Sequence, residues 1–275
     1  MERSEQARRF HALHRGPGVL AILNAWDAGS ARVFEQAGCA AIGTTSAGIA
    51  FALGRPDGEA LTRAELVEAT ARIAAATTLP LTADVESGYG ATPAEVGETV
   101  AAVIDAGAVG VNLEDAAPDG GAALRDLDDQ CARLRAARAA ADDAGLPLFI
   151  NARTDASWLE VGPAGERLEL IAARARAYAE AGADGLFVPG LSDPDALTRV
   201  VAATPLPLNV LASRTTPPLD ELERIGVRRL SVGSGPVRAA LDLAGRIALE
   251  VLETGSSELM VAGTLTYREA NALFR

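Results

Sequence analysis

Short β-branched or leucine-rich runs alternate with alanine-rich amphipathic stretches along the whole chain, and this alternation leaves few folds open. Eight runs have strand character: 19–23, 40–45, 80–85, 110–114, 147–152, 185–189, 207–212 and 229–233. The stretches 28–37, 62–76, 93–106, 127–144, 163–181, 193–203, 218–225 and 236–253 carry apolar residues at three- and four-residue spacing, the period of a helix with one buried face. In one of them Thr92 can cap, Pro93 suits the first turn and Glu95 favours the positive helix end. The strand runs are almost continuously apolar, as strands covered on both faces must be. Eight β/α units in this order predict an α/β chain closed into a (β/α)8 barrel of TIM type. The length, 275 residues with 49% hydrophobic, suits such a barrel and its large core. Residues 1–254 are read as the barrel and 255–275 as a C-terminal helical extension of the same domain.

One absence removes whole classes of chemistry. All 25 basic residues are arginine, so Schiff-base and pyridoxal mechanisms, and a Walker-type phosphate loop, lack their lysine. The net charge of −12, with no basic tract, argues against nucleic acid and anionic membranes as partners. Neither a membrane-length apolar run nor a signal segment is evident, and two cysteines make no disulfide framework; a cytoplasmic protein is expected. His11 and His14 are expected on a solvated face of a first helix-like segment.

In such a barrel the chemistry lies where strands end and loops begin. Strand 3 ends in Ala-Asp-Val-Glu-Ser-Gly-Tyr-Gly, which places Asp84 and Glu86 two residues apart on one face while the strand persists. Glu114 ends the next strand, and Arg153 the one after. Crowded carboxylates repel unless a cation holds them, and oxygen ligands without nearby His or Cys suit Mg²⁺, with Mn²⁺ as a substitute. Arg153 is placed to grip a substrate carboxylate, and Ser46, Ala47 and Gly48 offer a hydroxyl and backbone N–H groups to the same anion. A 2-oxo acid, which chelates Mg²⁺ through its carboxylate and keto oxygens, fits that arrangement. Against this stands the ordinary role of a strand-end acid as a helix cap or surface ion pair.

At these residues the sequence resembles the isocitrate lyase/phosphoenolpyruvate mutase superfamily. The motifs run in order: Asn-Ala-Trp-Asp-Ala-Gly-Ser-Ala-Arg from Asn24, Thr-Thr-Ser-Ala-Gly from Thr44 to the Gly-Arg-Pro-Asp-Gly ending at Gly58, then those around Asp84, Glu114 and Arg153, and Pro-Leu-Asn-Val-Leu from Pro207. The resemblance implies a barrel whose eighth helix is exchanged between subunits of a homodimer or homotetramer. It implies Asp84 as the inner Mg²⁺ ligand, with Glu86 and Glu114 holding the ion largely through water. It matches Ser46, Ala47, Gly48 and Arg153 to the substrate-carboxylate site, Asp57 to an active-site aspartate, and Thr44 or Thr45 to a position often aromatic.

The loop after strand 4 departs from the family. The lyases' Cys-Gly-His motif and the mutases' Lys and Asn-Ser pair are missing, and Cys131 falls inside a helix, where an inert packed thiol is expected. The expected function is a Mg²⁺-dependent lyase or decarboxylase acting on a small 2-oxo carboxylic acid through a metal-stabilised enolate. The alternatives are phosphoenolpyruvate mutase or phosphonopyruvate hydrolase chemistry, and a 2-oxo-acid-binding protein without turnover. Gly233 to Pro236 reads either as a phosphate cradle or as a tight turn, and Trp26 either as a pocket wall or as core. Whether the Tyr89 hydroxyl points inward is open.

Overall fold

The computed structural model describes residues 2–117 and 123–275. Eight parallel strands close on themselves in sequence order: β1 (Leu20–Ala25), β2 (Ile42–Thr44), β3 (Leu81–Asp84), β4 (Gly110–Glu114), β5 (Phe149–Arg153), β6 (Gly185–Phe187), β7 (Leu208–Leu211) and β8 (Arg229–Ser231), which pairs back to β1. The expected (β/α)8 barrel is therefore what forms. Around it lie α2 (Ala28–Gln36), α4 (Arg63–Ala75), α5 (Pro93–Asp105), α6 (Leu127–Asp143), α7 (Ala164–Glu180), α8 (Pro194–Ala203) and α9 (Leu219–Ile225). Thr62 and Thr92 close reciprocal capping boxes with Glu65 and Glu95, which fixes where α4 and α5 begin.

Two further helices stand outside the eight β/α units. The first, α1 (Arg3–Leu13), lies across the amino-terminal mouth of the barrel, where Phe10 packs on Phe149 with ring centroids 5.5 Å apart. His14 stacks on the same ring at 3.9 Å, and its Nδ1–H donates to Phe10 O at 2.8 Å. Only 3% of His14 is exposed, so the expected solvated face is corrected: His11 stays half-buried, but His14 plugs the barrel. Sequence alone offered no partner for that face, because Phe149 is 135 residues away (149 − 14).

The second, α3 (Ser46–Ala52), forms over Ser46, Ala47 and Gly48, whose hydroxyl and N–H groups were expected to meet a substrate anion. Thr45 caps it, its Oγ1 accepting from Gly48 N at 3.3 Å. A Cβ at Gly48 would stand 2.9 Å from Trp26 Cβ, so glycine there lets α3 lie against the segment after β1.

After β8 the chain runs into α10 (Gly235–Thr254), α11 (Glu258–Val261) and α12 (Tyr267–Ala272). Of α10 only Val237 is buried, and Leu241, Leu249, Val251 and Leu252 are exposed, Leu252 at 82%. The tail touches the barrel near α2, where Gln36 Nε2 donates to Leu273 O at 3.5 Å. Among the described residues no helix is long and apolar enough to cross a membrane.

Candidate active site

At the carboxyl ends of the strands lies a cleft of about 110 Å³. Six expected residues line it: Thr45, Ser46, Ala47, Asp57, Asp84 and Arg153. Gly48, Glu86 and Glu114 stand behind this wall. Asp84 ends β3, and its Oδ2 accepts both Ser46 N at 3.2 Å and Ser46 Oγ at 2.9 Å. Its backbone N–H donates to Thr44 Oγ1 at 2.8 Å, so the end of β2 holds both the main chain and the carboxylate of Asp84.

Arg153 is divided between two acids. Nη1 meets Glu114 Oε2 at 2.6 Å, and Nε meets Asp155 Oδ1 at 2.7 Å. The guanidinium carbon lies 5.7 Å from the centre of the Phe187 ring. Nε and Nη1 therefore each face a protein carboxylate, and among the described residues Nη2 is the guanidinium nitrogen left for the substrate carboxylate that Arg153 was expected to grip. Asp155 is itself placed by Asp115: Asp155 N donates to Asp115 Oδ1 at 2.9 Å, while Arg174 Nη1 and Tyr178 OH donate to Asp115 Oδ2 at 3.1 and 2.6 Å.

Glu86 belongs to a different network. The Tyr89 hydroxyl donates to Glu86 Oε1, and Glu59 N donates to Glu86 Oε2 at 2.5 Å. Glu59 Oε1 in turn accepts from Ser87 N, Ser87 Oγ and Tyr89 N at 3.1, 2.7 and 3.1 Å. The loop carrying Asp57 is thereby tied to the loop after β3. Tyr89 is accordingly engaged with Glu86 and does not line the cleft.

The electrostatics follow from crowding. Burial pushes the Glu86 carboxyl up to about 7 against the hydrogen bond from Tyr89, and the charges of Asp84 and Asp57 add to the rise. Burial also raises Glu114, outweighing the attraction of Arg153, with Asp155, Asp84 and Glu86 raising it further. Asp57 rises too, mainly by desolvation and then by the charge of Asp84. This is an anionic cluster short of positive charge, and its donors are all oxygen, so it fits a hard divalent cation. Among the described residues no three acids, histidines or cysteines gather at direct ligating distance. Asp84 alone of the three acids reaches the cleft, an arrangement suited to an ion that keeps several waters.

The other sequence readings resolve as follows. Trp26 lines a separate hollow beside α2, α3 and α4 and packs edge-on to Phe34 at 6.2 Å, so it does not wall this cleft. The stretch 233–236 turns into the start of α10, with most of its donors engaged: Val232 N and Gly233 N donate to Asn24 Oδ1 at 3.1 and 2.9 Å, Gly235 N donates to Val232 O, and Pro236 has no N–H. Cys131 is buried in α6, its Sγ 3.7 Å from Ala177 O, and burial raises its thiol. Residues 118–122, in the loop after strand 4, lie outside the described residues.

Cleft residues that the sequence reading missed include Asn24, Asn112, Trp158, Phe187, Pro189 and Leu211. Asn112 was within reach of strand periodicity, because it shares the inward face of β4 with Glu114.

The family model described as phosphoenolpyruvate phosphomutase matches residues 10–252. Similar proteins include a Burkholderia cenocepacia J2315 protein of solved structure, provisionally named a phosphonomutase. It is 45% identical, with a TM-score of 0.85, over 93% of this chain and 100% of the other. An oxaloacetate decarboxylase of Bradyrhizobium sp. (strain BTAi1) is 34% identical over 78% of this chain and 74% of its own. The structure of an oxaloacetate acetylhydrolase with its product oxalate superposes at a TM-score of 0.86, with 25% identity over 98% of this chain and 94% of the other.

Proposed function

The chain belongs to the phosphoenolpyruvate phosphomutase family, within the isocitrate lyase/phosphoenolpyruvate mutase superfamily, and on that premise we propose that it is a Mg²⁺-dependent lyase or decarboxylase of a small 2-oxo carboxylic acid. One observation carries this reading. A single cleft brings together the carboxylate of Asp84, the Nη2 of Arg153, which has no partner among the described residues, and the exposed rim acid Asp57, with two further acids behind. The names of relatives support the substrate class: oxaloacetate is decarboxylated by one and hydrolysed by another.

Asp84, backed by Glu86 and Glu114, would hold Mg²⁺. The ion would supply Lewis acidity at the 2-oxo oxygen, where negative charge develops as the bond at C3 breaks. Arg153 neutralises the substrate carboxylate through Nη2 and is kept from swinging by Glu114 and Asp155. Ser46 directs its two donors to Asp84 and so fixes where that carboxylate points. Asp57, raised by its surroundings, handles the proton that C3 gains. The assembly proposed with this reading is a homodimer or homotetramer joined through α10, and the mature protein is cytoplasmic.

The test is a panel of 2-oxo mono- and dicarboxylates, assayed with Mg²⁺ or Mn²⁺ and with chelator, for both turnover and binding. Metal-dependent turnover of any member supports the proposal. Binding without product would reduce the protein to a 2-oxo-acid sensor, and binding unaffected by chelator would remove the metal from the account.

A further inference from the structure

Asn112 lines the cleft although only 4% of it is exposed. It stands on β4 in register with Asp84 of β3, two residues before Glu114, which is in register with Arg153 of β5. Its side chain therefore reaches the cleft floor between the carboxylate of Asp84 and the guanidinium of Arg153. The amide is turned one way. Asn151 Nδ2 donates to Asn112 Oδ1 at 2.9 Å, and Arg229 Nη2 donates to the same oxygen at 3.3 Å. A guanidinium offers no acceptor, so the atom that faces Arg229 is the oxygen. The NH₂ half is left to the cleft, and among the described residues Nδ2 donates to nothing. A donor so enclosed needs an acceptor, and the cleft is where one can enter.

Arg229 is 1% exposed, and among the described residues no carboxylate pairs with it. Its Nε donates to Ser231 Oγ at 3.1 Å, and its Nη1 has no partner. A guanidinium buried without an acid costs stability. The fold nevertheless keeps this cation beneath the cleft, where the charge of Asp84 supports its protonated form. A polar clamp across the barrel would account for Ser231 Oγ donating to Asn209 Oδ1 at 3.2 Å, but not for an amide whose donors are turned to the cleft.

Resting on the 2-oxo acid reading above, we infer that Asn112 is a substrate-binding residue, its Nδ2 donating to the oxygens by which the substrate meets the metal, and that Arg229 is the positioning residue that keeps the amide turned that way. A neutral donor beside Asp84 meets the oxygen that gains charge as the bond at C3 breaks, and it adds no further anion to a crowded site. Locked from below, it needs no reorganisation when the substrate arrives.

The experiment is calorimetry with Mg²⁺ and oxalate, which carries the two chelating oxygens. Wild-type protein that fails to bind oxalate in Mg²⁺ overturns the 2-oxo acid reading, and this inference with it. Asn112→Asp keeps an oxygen for Arg229 and Asn151 and puts a second one where Nδ2 was; Asn112→Ala removes the donor without adding charge. Each should weaken oxalate by about tenfold or more, while Mg²⁺ affinity measured without oxalate is no lower than in the wild type. Unchanged oxalate affinity in Asn112→Ala, even with a loss in Asn112→Asp, is plain repulsion by the new charge; it overturns the role of Asn112 and leaves the 2-oxo acid site standing. In the wild type, the side-chain amide NMR signal that either substitution deletes should move when oxalate is added with Mg²⁺, and a signal that stays put overturns the contact. Arg229→Lys keeps the charge but gives up the planar fork that reaches Ser231 and Asn112 together. It should weaken oxalate severalfold while Mg²⁺ affinity holds, and Arg229→Gln serves if the lysine variant does not fold. A lower melting temperature with oxalate affinity intact would make Arg229 a strut of the barrel and remove it from the inference.

Discussion

Ser46 holds Asp84 with both of its donors, the backbone N–H at 3.2 Å and the hydroxyl at 2.9 Å, and both end on Oδ2. Among the described residues Asp84 Oδ1 accepts no hydrogen bond, so one oxygen is anchored and the other is left for a cation.

Removing the anchor and removing the ligand should therefore differ in degree. Ser46→Ala leaves the backbone donor in place and should weaken Mg²⁺ binding by about tenfold, the lower range for groups that orient metal ligands. Asp84→Asn removes a charge and a ligand, and should weaken Mg²⁺ and oxalate together by about a hundredfold or more. Calorimetric titration of each variant with Mg²⁺, then with oxalate, separates the two. Wild-type affinity in Asp84→Asn would falsify the metal assignment.

The amino-terminal plug makes stability depend on acid. Burial, helped by the charge of Arg229, lowers His14 to about 3, so the folded chain refuses a proton that the unfolded chain takes up near 6.5. Stability is then lost as pH falls from about 6.5 towards 3, by about 2 kcal/mol between pH 7 and pH 5 from this residue. Urea denaturation at the two pH values should show that loss in the wild type and a correspondingly smaller one in His14→Phe, which keeps the stack on Phe149.

Assembly should depend on the exposed face of α10. Leu241, Leu249 and Leu252 present apolar surface that a second subunit is expected to cover. Sedimentation at micromolar concentration should report a dimer or tetramer, and Leu249→Asp with Leu252→Asp should shift it towards monomer. A wild-type chain that sediments as monomer contradicts the expected exchange.

Isocitrate and methylisocitrate should be poor substrates. Their cleavage leaves a carbanion that a positioned acid must protonate, worth about 10² to 10⁴ in rate, and residues 115–130 supply only acids and Arg125 as ionisable groups. Arg125 is turned to Asp129 at 3.2 Å, and Cys131 is packed under α7. Release of glyoxylate or pyruvate at roughly 1 to 10³ per second from either compound would refute this, and Cys131→Ser should alter neither rate.

How much was legible depended on distance along the chain. The barrel was readable because each β/α unit carries its own period, and Asp84 and Arg153 were readable because charge interrupts an apolar run at a strand end. Asn112 obeys the same two-residue period as Glu114, but a neutral amide gives no such interruption. Trp158 was passed over because its position depends on Gly190, one β/α unit later, and no local pattern reports that approach. The helix at Ser46 was hidden by small residues that suit turns and tight packing alike, and the anchoring role of Glu59 by the 28 to 30 residues separating it from Ser87 and Tyr89.

That last cluster sets selection for robustness against selection for site shape. Glu59, Glu86 and Tyr89 all hold positive φ, at 53°, 48° and 51°, where a side chain costs about 1 kcal/mol or more and glycine almost nothing. Glycine at any of them would relax the backbone and at the same time delete one member of the tie between the Asp57 and Glu86 loops. Variants chosen for melting temperature alone should drift towards glycine at these three positions, and their catalytic output should fall as their heat tolerance climbs. Variants chosen for turnover should keep the strained residues and accept a lower melting point.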